Sequence, residues 1–271
     1  MNIFLHFISR KAAVYPGHQT ETSHSCDPKR RVGFLKTHKC ASSTIQNILL
    51  RYVIRNDLNV ALPARGNYLG YHGIFDRKLM KSTLWEKAKL KYDMFLVHTR
   101  WNHTRISQLL NDVGDVFYFS IVRDPVELFR SYWDFYHLTS LSNKTLETYI
   151  RSTIYNEVTY RNKTRRTRGY NQMLTDFGLN FQEVLNKSTI DHDEDGAIKL
   201  VKNKVDDIDV NFDLILLADG DYFDDSIILL KNALCWSFED MIHLKLNSHV
   251  ERSVPQSHMS DWGRKIITGM L

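Results

Sequence analysis

The stretch Val32-Gly33-Phe34-Leu35-Lys36-Thr37-His38-Lys39-Cys40-Ala41-Ser42-Ser43-Thr44 decides the fold. Val32 to Leu35 is a short apolar run with the character of a buried strand. Thr44 to Arg55 then places Ile45, Ile48, Leu49 and Tyr52 at helical spacing, with Arg51 and Arg55 on other faces. Between them lies a loop of small, hydroxyl and basic residues. A strand that feeds such a loop into a helix start aims unpaired backbone N–H groups and the positive end of a dipole at one point. Lys36 and Lys39 add full positive charge there. The local chemistry is that of a seat for a phosphate-like anion.

Working outward, residues 1 to 30 are polar, carry Pro16, Gly17 and Pro28, and show no sustained period, which reads as a stem or linker. The remainder, 31 to 271, reads as one α/β domain. Pro63 to Gly73 is a loop rich in glycine and tyrosine. Met94 to Val97 is a second strand that delivers His98, Thr99, Arg100 and Trp101 at its end, followed by a short helix from Thr104 to Leu110. Val116 to Val122 is a third strand and delivers Arg123. Asp124 is then a helix cap, with Pro125 in the first helical position and Glu127 in the third, and the helix runs to about His137. Residues 139 to 170 read as a polar, basic excursion around a helix from Leu146. A short helix from Asn171 to Phe177 is stopped by Gly178. Helices over Glu194 to Lys204 and Ser226 to Leu234 flank a strand over Phe212 to Leu217, and the tail beyond Val250 reads as irregular. Apolar strands alternating with helices predict a parallel sheet covered on both faces.

Composition narrows the function without naming it. Thirty-six Lys+Arg against 31 Asp+Glu give a formal charge of +5, which suits anionic ligands but is too mild for a nucleic-acid binder. Cys26, Cys40 and Cys235 have no metal-ligand spacing and are expected as free thiols. Four sequons, beginning at Asn102, Asn143, Asn162 and Asn186, point to a secretory-pathway lumen. Met1 to Ile8 is apolar but too short to span a bilayer, so a luminal protein of this kind is expected to have more natural N-terminus than this chain carries.

The loop is not that of a nucleoside triphosphatase, which needs Gly-x-x-x-x-Gly-Lys-Ser/Thr. No glycine lies between Gly33 and Thr44, and Lys36 leads the loop instead of closing it. A second feature sharpens the anion. Arg123 and Ser131 stand eight residues apart across a strand end and the following helix, where they can together grip one phosphate. The two features resemble the sulfotransferases that use 3'-phosphoadenosine 5'-phosphosulfate. Within that superfamily Leu35 to Thr44, Val122 to Phe129 and Ser226 to Trp236 resemble the galactose 3-O-sulfotransferases, the galactosylceramide sulfotransferase group, from about Arg31 to the C-terminus.

The resemblance implies the P-loop-like sulfotransferase fold and a metal-free reaction. It implies that Lys36, Thr37, His38, Lys39, Ala41, Ser42, Ser43 and Thr44 hold the phosphosulfate, and that Arg123 and Ser131 hold the 3'-phosphate. The acceptor it implies is a galactose-terminated glycolipid or glycoprotein glycan, and the location is the Golgi lumen, at a membrane reached through an anchor absent from this chain. A sugar hydroxyl needs a base as it attacks, and neutral histidine suits the task. His98, at a strand end where open α/β sheets place ligands, is the first choice, and His38 the second. Tyr68, Tyr71, His72 and Trp101 are candidates for the sugar-binding wall.

Three departures from the family stand out: Cys40 where threonine is usual, an insertion at Asp219-Gly220-Asp221, and an early stop. They keep open a weakened, non-catalytic nucleotide or glycan binder. Asp219 and Asp221 after an apolar strand also allow a metal-dependent glycosyltransferase, though that leaves the Lys36 loop and the Arg123–Ser131 pair without a purpose.

Overall fold

A computed structural model of the chain describes residues 26–70, 73–80, 91–112, 114–155, 172–189, 191–220, 222–244 and 259–268. Five strands, β1 (Val32–Leu35), β2 (Val60–Ala61), β3 (Met94–Phe95), β4 (Phe117–Val122) and β5 (Leu214–Leu217), form one sheet in the order β2-β3-β1-β4-β5. All pairings are parallel, with Val32 opposite both Met94 and Phe117, and Phe119 opposite Leu214. Every residue of β1 and β4 is buried, as expected of strands covered on both faces. Gly33 is required by this packing, because a Cβ there would lie 2.4 Å from Cδ1 of Tyr118.

Eleven α-helices among the described residues surround the sheet. The first five are α1 (Ser42–Arg55), α2 (His103–Leu110), α3 (Pro125–Phe135), α4 (Leu138–Ser142) and α5 (Leu146–Tyr149), the last continuing into a π-helical turn, Ile150–Tyr155. There follow α6 (Gln172–Asp176), α7 (Phe181–Thr189), α8 (Glu194–Asn211), α9 (Tyr222–Leu234), α10 (Phe238–Met241) and α11 (Asp261–Thr268). Among the described residues no helix is long and apolar enough to cross a membrane. The chain leaves β1 toward one edge of the sheet and leaves β4 toward the other. The loops after β1 and β4 therefore diverge and open a crevice at the carboxyl ends of the strands, the place where such sheets bind ligands. Lys36 to Ala41 and Arg123 occupy those two loops.

The structure alters several expectations. The tail is not wholly irregular: Ile266 and Ile267 of α11, with Met259, pack on Phe129, Trp133 and Ile150 in a second apolar core. The cysteines are not all free. Cys26 and Cys235 form a disulfide with Cα atoms 5.9 Å apart, because Lys29 N–H donates to Leu234 O and the Trp236 indole donates to Lys29 O, laying the segment along the end of α9. Cys40 remains a buried thiol. The helix after Arg123 stops at Phe135, two residues short of the expected end, since His137 takes a positive φ. The expected stem before residue 26, Tyr71, His72, the sequon at Asn162, Asp221 and the stretch 245–258 lie outside the described residues.

Candidate active site

The anion loop is shaped by two left-handed residues, Lys39 at φ 58° and Ala41 at φ 52°. Ala41 is the cap of α1 and offers it no side-chain hydrogen bond. By contrast, Asn102 Oδ1 caps α2 through the Arg105 N–H, and Asp124 Oδ1 caps α3 through the N–H groups of Val126 and Glu127. The start of α1 is thus left open toward an anion. Lys36 is 1% exposed, and its Nζ donates to Ser43 Oγ at 2.9 Å and to Ser42 Oγ at 3.3 Å. Burial draws its pKa down to about 7. An anion bound beside Nζ favours the charged form and restores the ammonium. Burial likewise lowers Lys39 to about 8, with the Arg123 charge acting in the same direction, and its Nζ sits 3.7 Å above the Phe135 ring.

These groups line a cavity of about 430 Å³. Lys36, His38 and Lys39 reach it from the loop, and Ala41, Ser42, Ser43 and Thr44 from the start of α1. Arg123 and Ser131 enter from the β4–α3 side, and Tyr68 and His98 from the opposite wall. Gly220, from the insertion noted in the sequence, and Phe135, Tyr136, Ala218 and Phe223, which the sequence did not single out, complete it. Two expected members are elsewhere. Thr37 is buried and its hydroxyl donates to Ile121 O, so it joins the loop to β4 and not to a ligand. Trp101 is 2% exposed and packs edge-on to Phe95 and Tyr118 in the core, with no face open to a sugar.

Arg123 is oriented from two sides. Its Nη1 donates to Lys39 O at 3.3 Å, and its Nε lies 3.4 Å from Asp219 Oδ1. Asp219 Oδ2 in turn accepts the Asp124 N–H at 2.7 Å. Burial raises the Asp219 pKa, partly offset by that N–H and by Arg123. Asp219 thus helps position the arginine.

On the opposite wall three rings stack: His38 and His98 with centroids 4.1 Å apart, and Tyr68 4.9 Å from His98. His98 Nδ1 lies 2.8 Å from Lys36 O and must donate to it, so its proton is on Nδ1 and its lone pair on Nε2. Burial, with the neighbouring His38 and Lys36, pushes His98 down to about 2, so it stays neutral. His38 is held differently. Its Nδ1 lies 2.9 Å from Asp176 Oδ1, and its backbone N–H donates to Asp176 Oδ2 at 2.8 Å.

Asp176 was not foreseen. It ends the five-residue α6, 138 residues beyond its partner, and one sequence gives no signal of that pairing. The available hint was a carboxylate among the apolar Met173 and Phe177 of a short helix. Its position is locked by the Trp101 N–H, which donates to Asp176 O at 2.9 Å, and by Gly178 at φ 93°. A Cβ on Gly178 would meet Trp101 O at 2.2 Å. Gly178→Ala is therefore expected to destabilise the fold by about 3 kcal/mol, read as a lower urea midpoint at unchanged slope.

A parallel α/β sheet whose β1 and β4 loops bring cationic side chains into one crevice defines the class: an α/β protein with a pocket suited to anions. A model of the galactose-3-O-sulfotransferase family matches residues 6–265, and the chain belongs to that family. It is 29% identical over 235 residues to the galactosylceramide sulfotransferase of Bos taurus, covering 85% of this chain and 51% of that protein. It is 32% identical over 242 residues to galactose-3-O-sulfotransferase 2 of Mus musculus, covering 86% and 56%. With galactose-3-O-sulfotransferase 4 of Homo sapiens the identity is 27% over 291 residues, covering 88% and 59%. The chain spans about half the length of these curated relatives. No solved structure matches it.

Proposed function

We propose that this chain transfers a sulfuryl group from 3'-phosphoadenosine 5'-phosphosulfate to the 3-hydroxyl of a galactose, in a glycolipid of the galactosylceramide type or in a glycoprotein glycan. The observation that carries this reading is the meeting of the Lys36 cradle and the Arg123–Ser131 pair in one cavity. The family relatives carry sulfotransferase names, which supports the same reading.

The chemistry follows from the residues. Ser42, Ser43, Thr44 and the open start of α1 hold the phosphosulfate, while Arg123 and Ser131 take the 3'-phosphate. Lys36 faces the oxygen on which charge grows as the sulfur–oxygen bond of the donor breaks, so its stabilisation is greatest in the transition state. Neutral His98 offers Nε2 as an acceptor that orients the incoming hydroxyl. His38, backed by a carboxylate, receives the proton, which reverses the ranking of the two histidines made from sequence. Tyr68 supplies an aromatic face for the sugar.

Cys40 does not favour the weakened-binder reading. It is buried and its Sγ donates to His38 O at 3.1 Å, so the departure from threonine removes no group from the cavity wall. The test is an acceptor screen with labelled donor against galactosylceramide, lactosylceramide and N-acetyllactosamine glycans. Transfer to at least one galactose terminus is expected. Binding of adenosine 3',5'-bisphosphate without transfer to any of them supports the binder instead, and activity lost on chelation supports the glycosyltransferase.

The reading extends to the compartment, the Golgi lumen. A disulfide persists in oxidising compartments, and the Cys26–Cys235 bond supports that location. Of the sequons, Asn143 is exposed at a left-handed turn between α4 and α5, whereas Asn186 lies within α7 and Asn102 is a half-buried helix cap. An enzymatic deglycosylation shift is expected for the chain secreted from eukaryotic cells, reduced by one glycan in Asn143→Gln. An unshifted chain would count against the luminal assignment.

A further inference from the structure

We propose that Asp176 is the positioning residue of the transfer reaction, fixing His38 in the tautomer that can act as base and steadying the imidazolium it becomes; this rests on the transferase reading above. Asp176 is 0% exposed, yet its carboxylate meets three donors: the His38 Nδ1–H, the His38 backbone N–H and the Gln172 amide, at 2.8 to 2.9 Å. A carboxylate removed from water is costly unless paired, and this one is paired with the ring of a cavity residue.

The geometry sets the proton inventory. An ionised carboxylate only accepts, so Nδ1 of His38 must carry a proton, and Nε2 is the nitrogen with the lone pair. Gripping the His38 backbone and ring with one carboxylate also prevents the ring from turning over to present Nδ1. In the step itself, the acceptor O–H proton passes to Nε2 as the acceptor oxygen bonds to sulfur. The bond between sulfur and the phosphate oxygen breaks, and its electron pair leaves on adenosine 3',5'-bisphosphate. His38 is then a cation facing Asp176 at hydrogen-bond distance, while Asp176 keeps its charge throughout. His98 has no such support, since its Nδ1 partner is the uncharged carbonyl of Lys36. The two stacked histidines are thus made unequal by their second partners.

Gln172 completes the device. It lies one turn before Asp176 on α6 and donates to Oδ1, so the carboxylate cannot swing away from the ring. Through Asp176 O and the Trp101 N–H, the same helix is tied to the chain just past His98. One short helix therefore registers both histidines.

The test compares D176N with the unaltered chain. The asparagine amide can turn its NH₂ toward Nδ1 and favour the opposite tautomer. kcat is expected to fall about 10³-fold, with KM for donor and the Kd of adenosine 3',5'-bisphosphate changed less than about twofold. Nitrogen NMR of the His38 ring should shift from the Nδ1–H to the Nε2–H form. H38A should lose as much kcat as D176N, and H38A/D176N no more than either. A D176N protein that keeps kcat within about threefold overturns the proposal, as does one whose His38 tautomer is unchanged, or a double variant whose losses multiply. If D176N does not fold, Q172L with the same NMR and kcat readouts decides the matter: partial loss of the Nδ1–H form and of kcat supports it, and neither change overturns it. If the unaltered chain transfers sulfate to no galactose, the transferase reading fails, while the tautomer measurement still decides the role of Asp176.

Discussion

Lys36→Ala is expected to lower kcat/KM for sulfate transfer by about 10³-fold, an effect of about 4 kcal/mol, while leaving the protein folded. In the proposed reaction Lys36 is the charge placed where the leaving phosphate and the moving sulfuryl group meet; Ser42 and Ser43 hydrogen-bond its Nζ. The loss should fall mainly on kcat, because the interaction strengthens as charge develops. Arg123→Ala should instead weaken adenosine 3',5'-bisphosphate binding by about 100-fold, a charge-assisted bidentate contact being worth about 3 kcal/mol. Steady-state kinetics with labelled donor and calorimetry separate the two patterns, and full activity in Lys36→Ala would remove the proposed mechanism. The empty Lys36→Ala protein should also melt higher. A lysine lowered from its ordinary 10.5 to about 7 by burial opposes folding, since the unfolded chain binds its proton more tightly. For the same reason the unaltered protein gains stability from this group as pH rises from about 7 toward 10.5, and the variant should lack that rise.

The second large effect is on stability. The Cys26–Cys235 bond closes a loop of 209 residues that contains the whole sheet and every cavity residue. In the chain-entropy account, opening such a loop costs about 5 kcal/mol, comparable to the net stability of many domains. Urea unfolding with and without reductant, and of the Cys26→Ser/Cys235→Ser double variant, measures this directly. An unchanged midpoint would show that the bond adds nothing to the fold.

Much of the scaffold was legible because its signals are local. The apolar runs of β1 and β4 and the helical period of α1 stand within a dozen residues. Asp124 caps α3 and Pro125 opens it, as expected, whereas the Glu127 carboxylate accepts from Arg130 and the Asp124 N–H goes to Asp219 Oδ2. What was hidden depends on distant partners. The two residues of β2 carry no period, and α11 presents three buried residues, too few to reveal a helix without the core it packs on. Thr37 and Trp101 are of the right type in the right place, but their direction is set by Ile121 O and by Phe95 and Tyr118. The disulfide and Asp176 join residues 209 and 138 apart, and nothing in spacing announces either.

The segment bearing Tyr68 lies beside the end of β3, where Leu69 N–H donates to His98 O and His98 N–H to Asn67 O. Asn67 exchanges hydrogen bonds with the Gln46 amide, and Leu69 is buried, so both neighbours are anchored inward. Tyr68 is 42% exposed and faces the cavity. Its backbone is thus held by residues that do not depend on its side chain, making position 68 an exchangeable tile in the wall. Under the proposed reaction, variation there retunes acceptor preference at little risk to folding, an evolutionary freedom that Lys36 and Asp176, buried and bonded on several sides, do not have.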